Sequence, residues 1–177
     1  NKIRVCYFAA DEEFYAQNNK QNLQNIRKIY SAEAGYILHM STSDPRENTP
    51  AVIQAFAKAL RKLKLPQKLI ICGDAKAQET GLNKLIRELD LEDKVIFTGH
   101  LIGKGLVQLY QAADLFIEIS FYEGFGLQVV EAMSCGIPVI VSNVTSLPEV
   151  VGDAGIIVGS TDIDNLSSAI VLLLSLI

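Results

Sequence analysis

Short apolar runs alternate with amphipathic segments along almost the whole chain. The runs with the length of buried strands lie at 36–40, 68–72, 95–97, 115–119, 137–141 and 156–158. Between them, apolar residues recur at helical spacing in 21–30, 51–64, 80–89, 106–113, 127–134 and from Asp162 onward, with a shorter turn at 147–151. Strands that alternate with helices form right-handed crossovers. The pattern therefore predicts an α/β fold, a Rossmann-like and mostly parallel sheet with helices on both faces.

The first third of the chain adds two local expectations. Residues 3–8 are rich in β-branched and aromatic side chains, which predicts one more strand ahead of an irregular polar loop at 9–19. Further along, Thr49 and Pro50 predict a helix start, with Thr49 as the cap and Pro50 in the first turn.

Length and composition indicate a globular chain. With 177 residues, 49% apolar and 20% charged, we expect a single domain. The three cysteines, Cys6, Cys72 and Cys135, lie in or beside apolar runs without a CxxC pair, so we expect reduced core thiols in a cytoplasmic protein. The apolar end at 166–177 is shorter than the roughly 20 residues of a membrane-spanning helix. We therefore expect no transmembrane segment.

Charge is distributed unevenly along the chain. All 16 Lys and Arg residues lie in 1–104, whereas 105–177 hold eight acids and no base. No basic stripe is present to neutralise a nucleic-acid backbone, which argues against nucleic acid as a partner. The GxGxxG spacing of dinucleotide enzymes, the phosphate-binding P-loop and zinc-ligand spacings are also missing from the sequence, so we expect neither cofactor nor metal.

The candidate chemistry is concentrated between two buried runs, at 121–143. Glu123 lies on a loop after one predicted strand, and Glu131 lies a little over one turn into the next helix, near the same mouth of the sheet. The unpaired N–H groups at that helix start suit an anion such as a diphosphate. Ionised carboxylates accept hydrogen bonds from hydroxyls. Diphosphate and polyol together are the chemical signature of a nucleotide sugar.

These residues also carry a resemblance to a known family. Tyr-Glu-Gly-Phe-Gly-Leu at 122–127 and Glu-Ala-Met-Ser-Cys-Gly-Ile-Pro-Val-Ile at 131–140 resemble the E-x7-E signature of retaining glycosyltransferases with the GT-B fold, glycosyltransferase family 4. Flanking segments at 97–100, 109–116, 146–150 and 152–155 resemble family segments in the family's order. The likeness covers roughly residues 1–170, and only the family's C-terminal, donor-binding half.

The resemblance implies roles for individual residues. Glu131 would hold the ribose hydroxyls, and Glu123 would be the catalytic carboxylate that holds the hexose hydroxyls. Backbone from Gly124, Phe125, Gly126 and Leu127 would meet the sugar and the phosphates. His100 and Leu101 resemble the place where the nucleobase rests, although a plain loop histidine is an equal alternative.

One loop departs from the family pattern. Ser41 and Thr42 occupy the positions where the family usually has Gly followed by Arg, Ser or Thr. Glu47 stands where the family has a Lys that grips the diphosphate, with Arg46 immediately before it. A carboxylate would repel that diphosphate. Two alternatives remain open: Arg46 takes over the role with an altered geometry, or donor binding is crippled. Thr42 is a further candidate for donor binding.

The sequence thus predicts that residues 1–177 form a nucleotide-sugar-binding domain whose N-terminal acceptor domain lies outside the chain. The expected reaction is transfer of a hexose from a UDP-, GDP- or ADP-sugar with retention, with little turnover by this domain alone. The full-length protein is expected in the cytoplasm, with peripheral membrane association as an option. A degenerate binding or scaffold module is the main alternative, and a nucleotide-sugar epimerase of related fold a weaker one.

Overall fold

The computed structural model describes residues 2–42, 44–64, 66–73 and 81–177. Within these ranges six strands form one sheet: β1 (Tyr36–Ser41), β2 (Lys68–Gly73), β3 (Val95–Gly99), β4 (Leu115–Glu118), β5 (Val139–Ser142) and β6 (Ile156–Val158). Their order is β3-β2-β1-β4-β5-β6, and every neighbouring pair is parallel. The predicted α/β Rossmann-like fold is confirmed.

Seven helices connect and cover the strands in the described ranges. They are α1 (Lys20–Ile29), α2 (Thr49–Leu63), α3 (Leu82–Glu88), α4 (Lys104–Gln111), α5 (Leu127–Ser134), α6 (Leu147–Val151) and α7 (Ile163–Leu174). A short 3₁₀ turn, Pro45–Glu47, precedes α2. The helix predicted at 80–89 is α3, Leu82–Glu88, with Gly81 and Leu89 as its caps. Residues 74–80, which include the predicted first residue of this helix, lie outside the described ranges.

The sheet is buried on both faces because alternate strand residues point to opposite sides. Ile37 and Ile117 belong to a core formed with α2, α3 and α7. Leu38 and Phe116 belong to a second core formed with α1, α4, α5 and α6. Among the described helices, none is long and apolar enough to cross a membrane.

The strand predicted at residues 3–8 is wrong. Residues 2–10 contain neither helix nor strand, and Ile3 and Val5 are 87% and 76% exposed. A segment becomes a strand only by pairing with the free hydrogen-bonding groups of another strand, and this segment pairs with neither edge strand, β3 or β6. The same placement leaves Cys6 exposed, in contrast to the buried Cys72 and Cys135, so the expectation of three core thiols fails for Cys6.

The start of α2 also differs from the prediction. The cap residue is Asn48, in the left-handed conformation with a φ of 56°, and Thr49 is the first helical residue. The Thr49 hydroxyl is instead buried, 3.0 Å from Nε2 of His39 and 3.0 Å from Oγ of Ser41. Because these partners lie on β1, Thr49 ties the helix to the sheet and is not free to cap the helix.

The chain reverses its direction of travel across the sheet between β1 and β4. From β1 it proceeds outward through β2 to β3, and then it returns to β4 on the other side of β1. In open parallel sheets the loops at such a switch point diverge and leave a crevice beyond the carboxyl ends of the two strands. The topology therefore places any ligand between the loops that follow β1 and β4.

Candidate functional site

A cleft of about 130 Å³ lies at the switch point between β1 and β4. The polar cleft, as we call it, is lined by Thr42, Asp44, Arg46, Glu47, Tyr122, Glu123 and Gly124. The first four residues come from the β1 loop (residues 42 and 44–48), and the last three from the β4 loop (residues 119–126). The fold thus brings together five of the residues singled out from sequence: Thr42, Arg46, Glu47, Glu123 and Gly124.

Glu123 is anchored on three sides. Its carboxylate oxygen Oε1 lies 3.1 Å from the Ser120 hydroxyl. Its backbone N–H donates to the Thr145 hydroxyl at 3.1 Å, and its carbonyl accepts from the Ser146 hydroxyl at 3.2 Å. Because Thr145 and Ser146 follow β5, the β4 loop is fixed to the next strand connection. Glu123 therefore enters the polar cleft from a backbone that is already held in place.

The charged side chains of the β1 loop pair with partners inside the same loop. The Glu47 carboxylate accepts from the Thr42 N–H at 2.7 Å and from the Thr42 hydroxyl at 2.6 Å. Arg46 donates to the Asp44 carboxylate, with Nη2 at 2.6 Å and Nε at 3.0 Å. This partner holds the pKa of Asp44 below its ordinary value. The departure seen in the sequence is thus an acid folded back onto the loop, not an acid pointing freely into the cleft.

Glu131 lies on the second turn of α5 and does not line the polar cleft. It is half-buried, and burial raises the pKa of its carboxyl above the ordinary value, although the nearby Tyr110 hydroxyl opposes the rise. Tyr110 itself is completely buried, and its hydroxyl interacts with the Glu131 carboxyl. A buried tyrosine usually finds a partner for its O–H. This donor beside Glu131 was not visible in the sequence.

The loop between Glu123 and α5 turns sharply. Gly126 caps α5 with a φ of 92°, and a Cβ there would lie 2.6 Å from Leu147 Cδ2, so the turn requires glycine. Leu127 begins the helix and is 42% exposed. The Phe125 ring turns away from the polar cleft and packs edge-on against Phe8, with the ring centroids 5.3 Å apart. It lines a separate apolar cleft of about 460 Å³ beside α5 and α6.

His100 and Leu101 directly follow β3, at the edge of the sheet and two strands from β1. His100 is exposed and Leu101 is half-buried. The structure therefore does not bring these two residues into the polar cleft. They share its side of the sheet, because the carboxyl ends of parallel strands lie together.

Two further residues beside the polar cleft were missed by sequence reasoning. Glu118, the last residue of β4, and Ser120 are both buried, and the Ser120 hydroxyl lies between the carboxyl groups of Glu118 and Glu123. The available signal was an acid inside the otherwise apolar run 115–119. Within the described ranges, no group of three or more His, Cys, Asp or Glu residues is arranged to hold a metal ion.

Comparison with known sequences identifies relatives of the chain. The family model described as "Glycosyl transferases group 1" matches residues 21–176. O-antigen chain mannosyltransferase B of Escherichia coli is 36% identical over 170 residues, which cover 96% of this chain and 45% of the relative. N-acetyl-alpha-D-glucosaminyl L-malate synthase of Bacillus anthracis is 33% identical over 86% of this chain and 39% of its own length. The chain thus spans less than half of these relatives.

Solved structures with the same fold include a ligand complex. HepE of Anabaena in complex with UDP-glucose is 26% identical with a TM-score of 0.79, and the match covers 93% of this chain and 46% of HepE. The C-terminal domain of a glycosyl transferase group 1 family protein, LpcC of Francisella tularensis, is 22% identical with a TM-score of 0.78. That match covers 95% of this chain and 88% of the solved domain, and it shows the fold alone.

Both the family match and the identity to the mannosyltransferase extend over most of the described residues, including the two loops that form the polar cleft. This chain therefore belongs to the glycosyl transferases group 1 family.

Proposed function

We propose that this chain is the C-terminal, donor-binding domain of a retaining glycosyltransferase of family 4, and that it holds a nucleotide diphosphate sugar whose hexose is transferred to an acceptor. The observation that carries the proposal is the position of Glu123. It lies in a polar cleft at the switch point of a parallel sheet, with seven residues between it and Glu131 on α5. The similarity to HepE, which was solved with UDP-glucose, supports a nucleotide sugar as the ligand.

Each part of the donor then has a counterpart in the site. Glu131 accepts from the ribose hydroxyls, and Glu123 accepts from the hexose hydroxyls as the catalytic carboxylate. The diphosphate lies at the start of α5, where the N–H groups of Leu127 and Gln128 precede the first backbone hydrogen bond of the helix, from Val129 N–H to the Gly126 carbonyl. The nucleobase rests at His100 and Leu101. Catalysis depends on positioning the donor and on stabilising the departing diphosphate.

The acceptor site is proposed to lie in a domain outside this chain. The chain corresponds to 45% of the E. coli mannosyltransferase and to 88% of the solved C-terminal domain of LpcC. A cleft between two domains would exclude water from the reacting groups, which this domain cannot do alone. The isolated chain is therefore proposed to bind donor and to turn over little of it. The full-length protein is proposed to act in the cytoplasm, with peripheral attachment to a membrane.

Calorimetric titration of the chain with UDP, GDP and ADP at low salt tests this function. We expect one nucleotide to bind selectively, because polar groups that pair with one base are left unpaired by another. The selected nucleotide would identify the donor class. If a chain shown to be folded by circular dichroism bound none of the three, the donor-binding function would be contradicted.

A second candidate function is a degenerate module that no longer holds a donor. It is favoured by the β1 loop, where Thr42 donates its N–H and hydroxyl to Glu47, and Arg46 donates to Asp44. The hydrogen-bond donors that could bind a phosphate are therefore already paired within the loop. The intact pair Glu123 and Glu131 argues against this candidate.

Glu47→Lys separates the two functions. In a working donor site we expect its nucleotide affinity to rise by less than about tenfold, because ion pairs near solvent contribute about 1 kcal/mol or less. Glu47→Gln is the matched control, since it removes the negative charge without adding a positive one. A rise in nucleotide affinity of hundredfold or more for Glu47→Lys but not for Glu47→Gln would show that the natural site no longer binds the diphosphate effectively.

A further inference from the structure

Glu118 is an acid buried in the centre of the fold. Its residue is 2% exposed, and it lies on the same face of β4 as Phe116, because strand residues alternate. None of the ion pairs formed among the described residues includes it. Residues 105–177 also contain no Lys or Arg. Burial without a cation favours the neutral form of a carboxyl group.

The Ser120 hydroxyl bridges Glu118 to the polar cleft. Its oxygen lies 2.5 Å from Oε1 of Glu118 and 3.1 Å from Oε1 of Glu123. Ser120 is itself fully buried, and its carbonyl accepts from the Ser142 hydroxyl at 2.7 Å. The hydroxyl is therefore held between two carboxyl groups by a backbone that is fixed to β5.

Counting protons decides how this arrangement is bonded. A serine hydroxyl has a single hydrogen, so it can donate to only one of two ionised carboxylates, and the other would face its lone pairs without a hydrogen between them. One additional proton removes the conflict. If Glu118 carries that proton, its O–H donates to Ser120, and the Ser120 O–H donates to Glu123.

The groups that surround Glu118 also favour its neutral form. Burial raises the pKa of Glu118 most strongly, the Ser120 hydroxyl opposes this rise, and the nearby acids Glu123 and Glu47 raise the pKa further. Tyr110 on α4, which lies near both Glu118 and Glu131, provides no positive charge. The pKa of Glu118 is raised to about 8. Its carboxyl is therefore protonated at neutral pH.

We propose that Glu118 is a positioning residue for Glu123: as a neutral acid it donates to Ser120, which directs the Ser120 hydroxyl toward Glu123 and holds that carboxylate in the polar cleft. The inference rests on the proposed function in one respect, which is that Glu123 meets the sugar of the donor. The arrangement of the three side chains is independent of any ligand.

Ionisation of Glu118 would reverse the direction of the hydrogen bonds. Above pH 8 the Ser120 hydroxyl would donate to the buried charge of Glu118, and Glu123 would lose its donor. The contribution of the sugar to binding affinity would fall, while the contribution of the nucleotide would not change, because Glu123 contacts only the sugar. The pH dependence is therefore specific to ligands that carry a hexose.

Carbon-13 NMR of carboxyl-labelled glutamate in the full chain tests the arrangement without a ligand. The Glu118 signal, assigned by its absence in Glu118→Gln, is expected to titrate near pH 8. The Glu123 signal is expected to move in the same pH range in the wild-type chain and to be unresponsive there in Glu118→Gln, whose amide donates to Ser120 at every pH. A Glu118 signal that titrates near pH 4 to 5, or a Glu123 signal that ignores Glu118, would overturn the proposal.

Binding measurements between pH 7 and pH 9 provide the second readout. The ligands are UDP and UDP-glucose, or GDP and GDP-mannose if the nucleotide panel selects guanosine. We expect the affinity for the sugar nucleotide to fall roughly tenfold in the wild-type chain, the value of one hydrogen bond to a charged group. The affinity for the bare diphosphate should stay constant, and Glu118→Gln should abolish the difference. Glu92→Gln, an exposed site before β3, is the matched control.

The two readouts separate failure of this inference from failure of the proposed function. If no nucleotide binds but the NMR signals of Glu118 and Glu123 remain coupled, the positioning role stands and the donor-binding function falls. If sugar nucleotides bind equally well at pH 7 and pH 9 in the wild-type chain, the donor-binding function stands and the positioning role falls.

Discussion

Gly73→Ala is expected to destabilise the fold by about 2–6 kcal/mol, the combined range for overpacking and for a strained backbone. Gly73 ends β2 with a φ of 152° and lies opposite Ser41 of β1 in the sheet register. A Cβ on Gly73 would lie 1.6 Å from the backbone oxygen of Ser41. Since the obstacle is backbone, no side-chain rotation can relieve the clash. The end of β1 must move away from β2, and Thr42 must move with it.

Urea unfolding of the variant and the wild-type chain measures this effect. Gly105→Ala is the matched control, because Gly105 lies within α4 and an added Cβ would meet nothing within 4 Å. That control is expected to be neutral or to stabilise the chain by up to about 1 kcal/mol, the helix preference of alanine over glycine. Equal stability of Gly73→Ala and wild type would show that β1 and β2 can separate at their ends at little cost.

Glu131→Ala is expected to weaken nucleotide binding by roughly 150- to 20,000-fold, which corresponds to about 3–6 kcal/mol. The proposed contacts are two ribose hydroxyls on one carboxylate, and each hydrogen bond to a charged group contributes about 1.5–3 kcal/mol. The substitution should not unfold the chain, because burial already raises the pKa of Glu131 and thus opposes its charged form. Affinity and stability are therefore expected to separate.

Calorimetry with the nucleotide selected by the panel, together with thermal unfolding, checks both halves of this expectation. Glu92→Ala is the control for the change in net charge, since Glu92 is exposed and lies at the opposite, amino end of β3. Wild-type affinity in a folded Glu131→Ala chain would remove Glu131 from the donor site. Loss of the fold together with the affinity would instead show that Glu131 is structural.

Sequence reasoning located the strands and helices because the spacing of apolar residues in each element reflects which of its faces is buried. The run 68–72 became β2, and the helix predicted at 127–134 has these bounds in the structure. The same reasoning failed at residues 3–8, where the composition is typical of a strand but the segment pairs with no strand of the sheet. Strand pairing depends on a partner that is often distant in the sequence, so composition alone cannot decide it.

The candidate site was predictable to the extent that the carboxyl ends of parallel strands meet. That rule placed Glu123 and Glu131 near the same mouth of the sheet, and the family resemblance added the β1 loop; the structure brings Thr42, Arg46 and Glu123 into one cleft, without Glu131. The rule did not reveal that Glu47 would fold back onto Thr42 or that Arg46 would pair with Asp44. Those pairings are choices of side-chain rotamer among two acids and one base within a short loop.

The sequence by itself determined the order of elements, the parallel sheet and the family, because hydrophobic periodicity and short motifs are local properties of the chain. Tertiary structure alone decided which polar groups were buried together. Glu118 and Glu123 are five residues apart, yet only the bend after β4 places Ser120 between them. Tyr110 came to lie beside Glu131 only when α4 and α5 packed on the same face. Such contacts depend on the removal of water around each group, which the packed fold alone accomplishes.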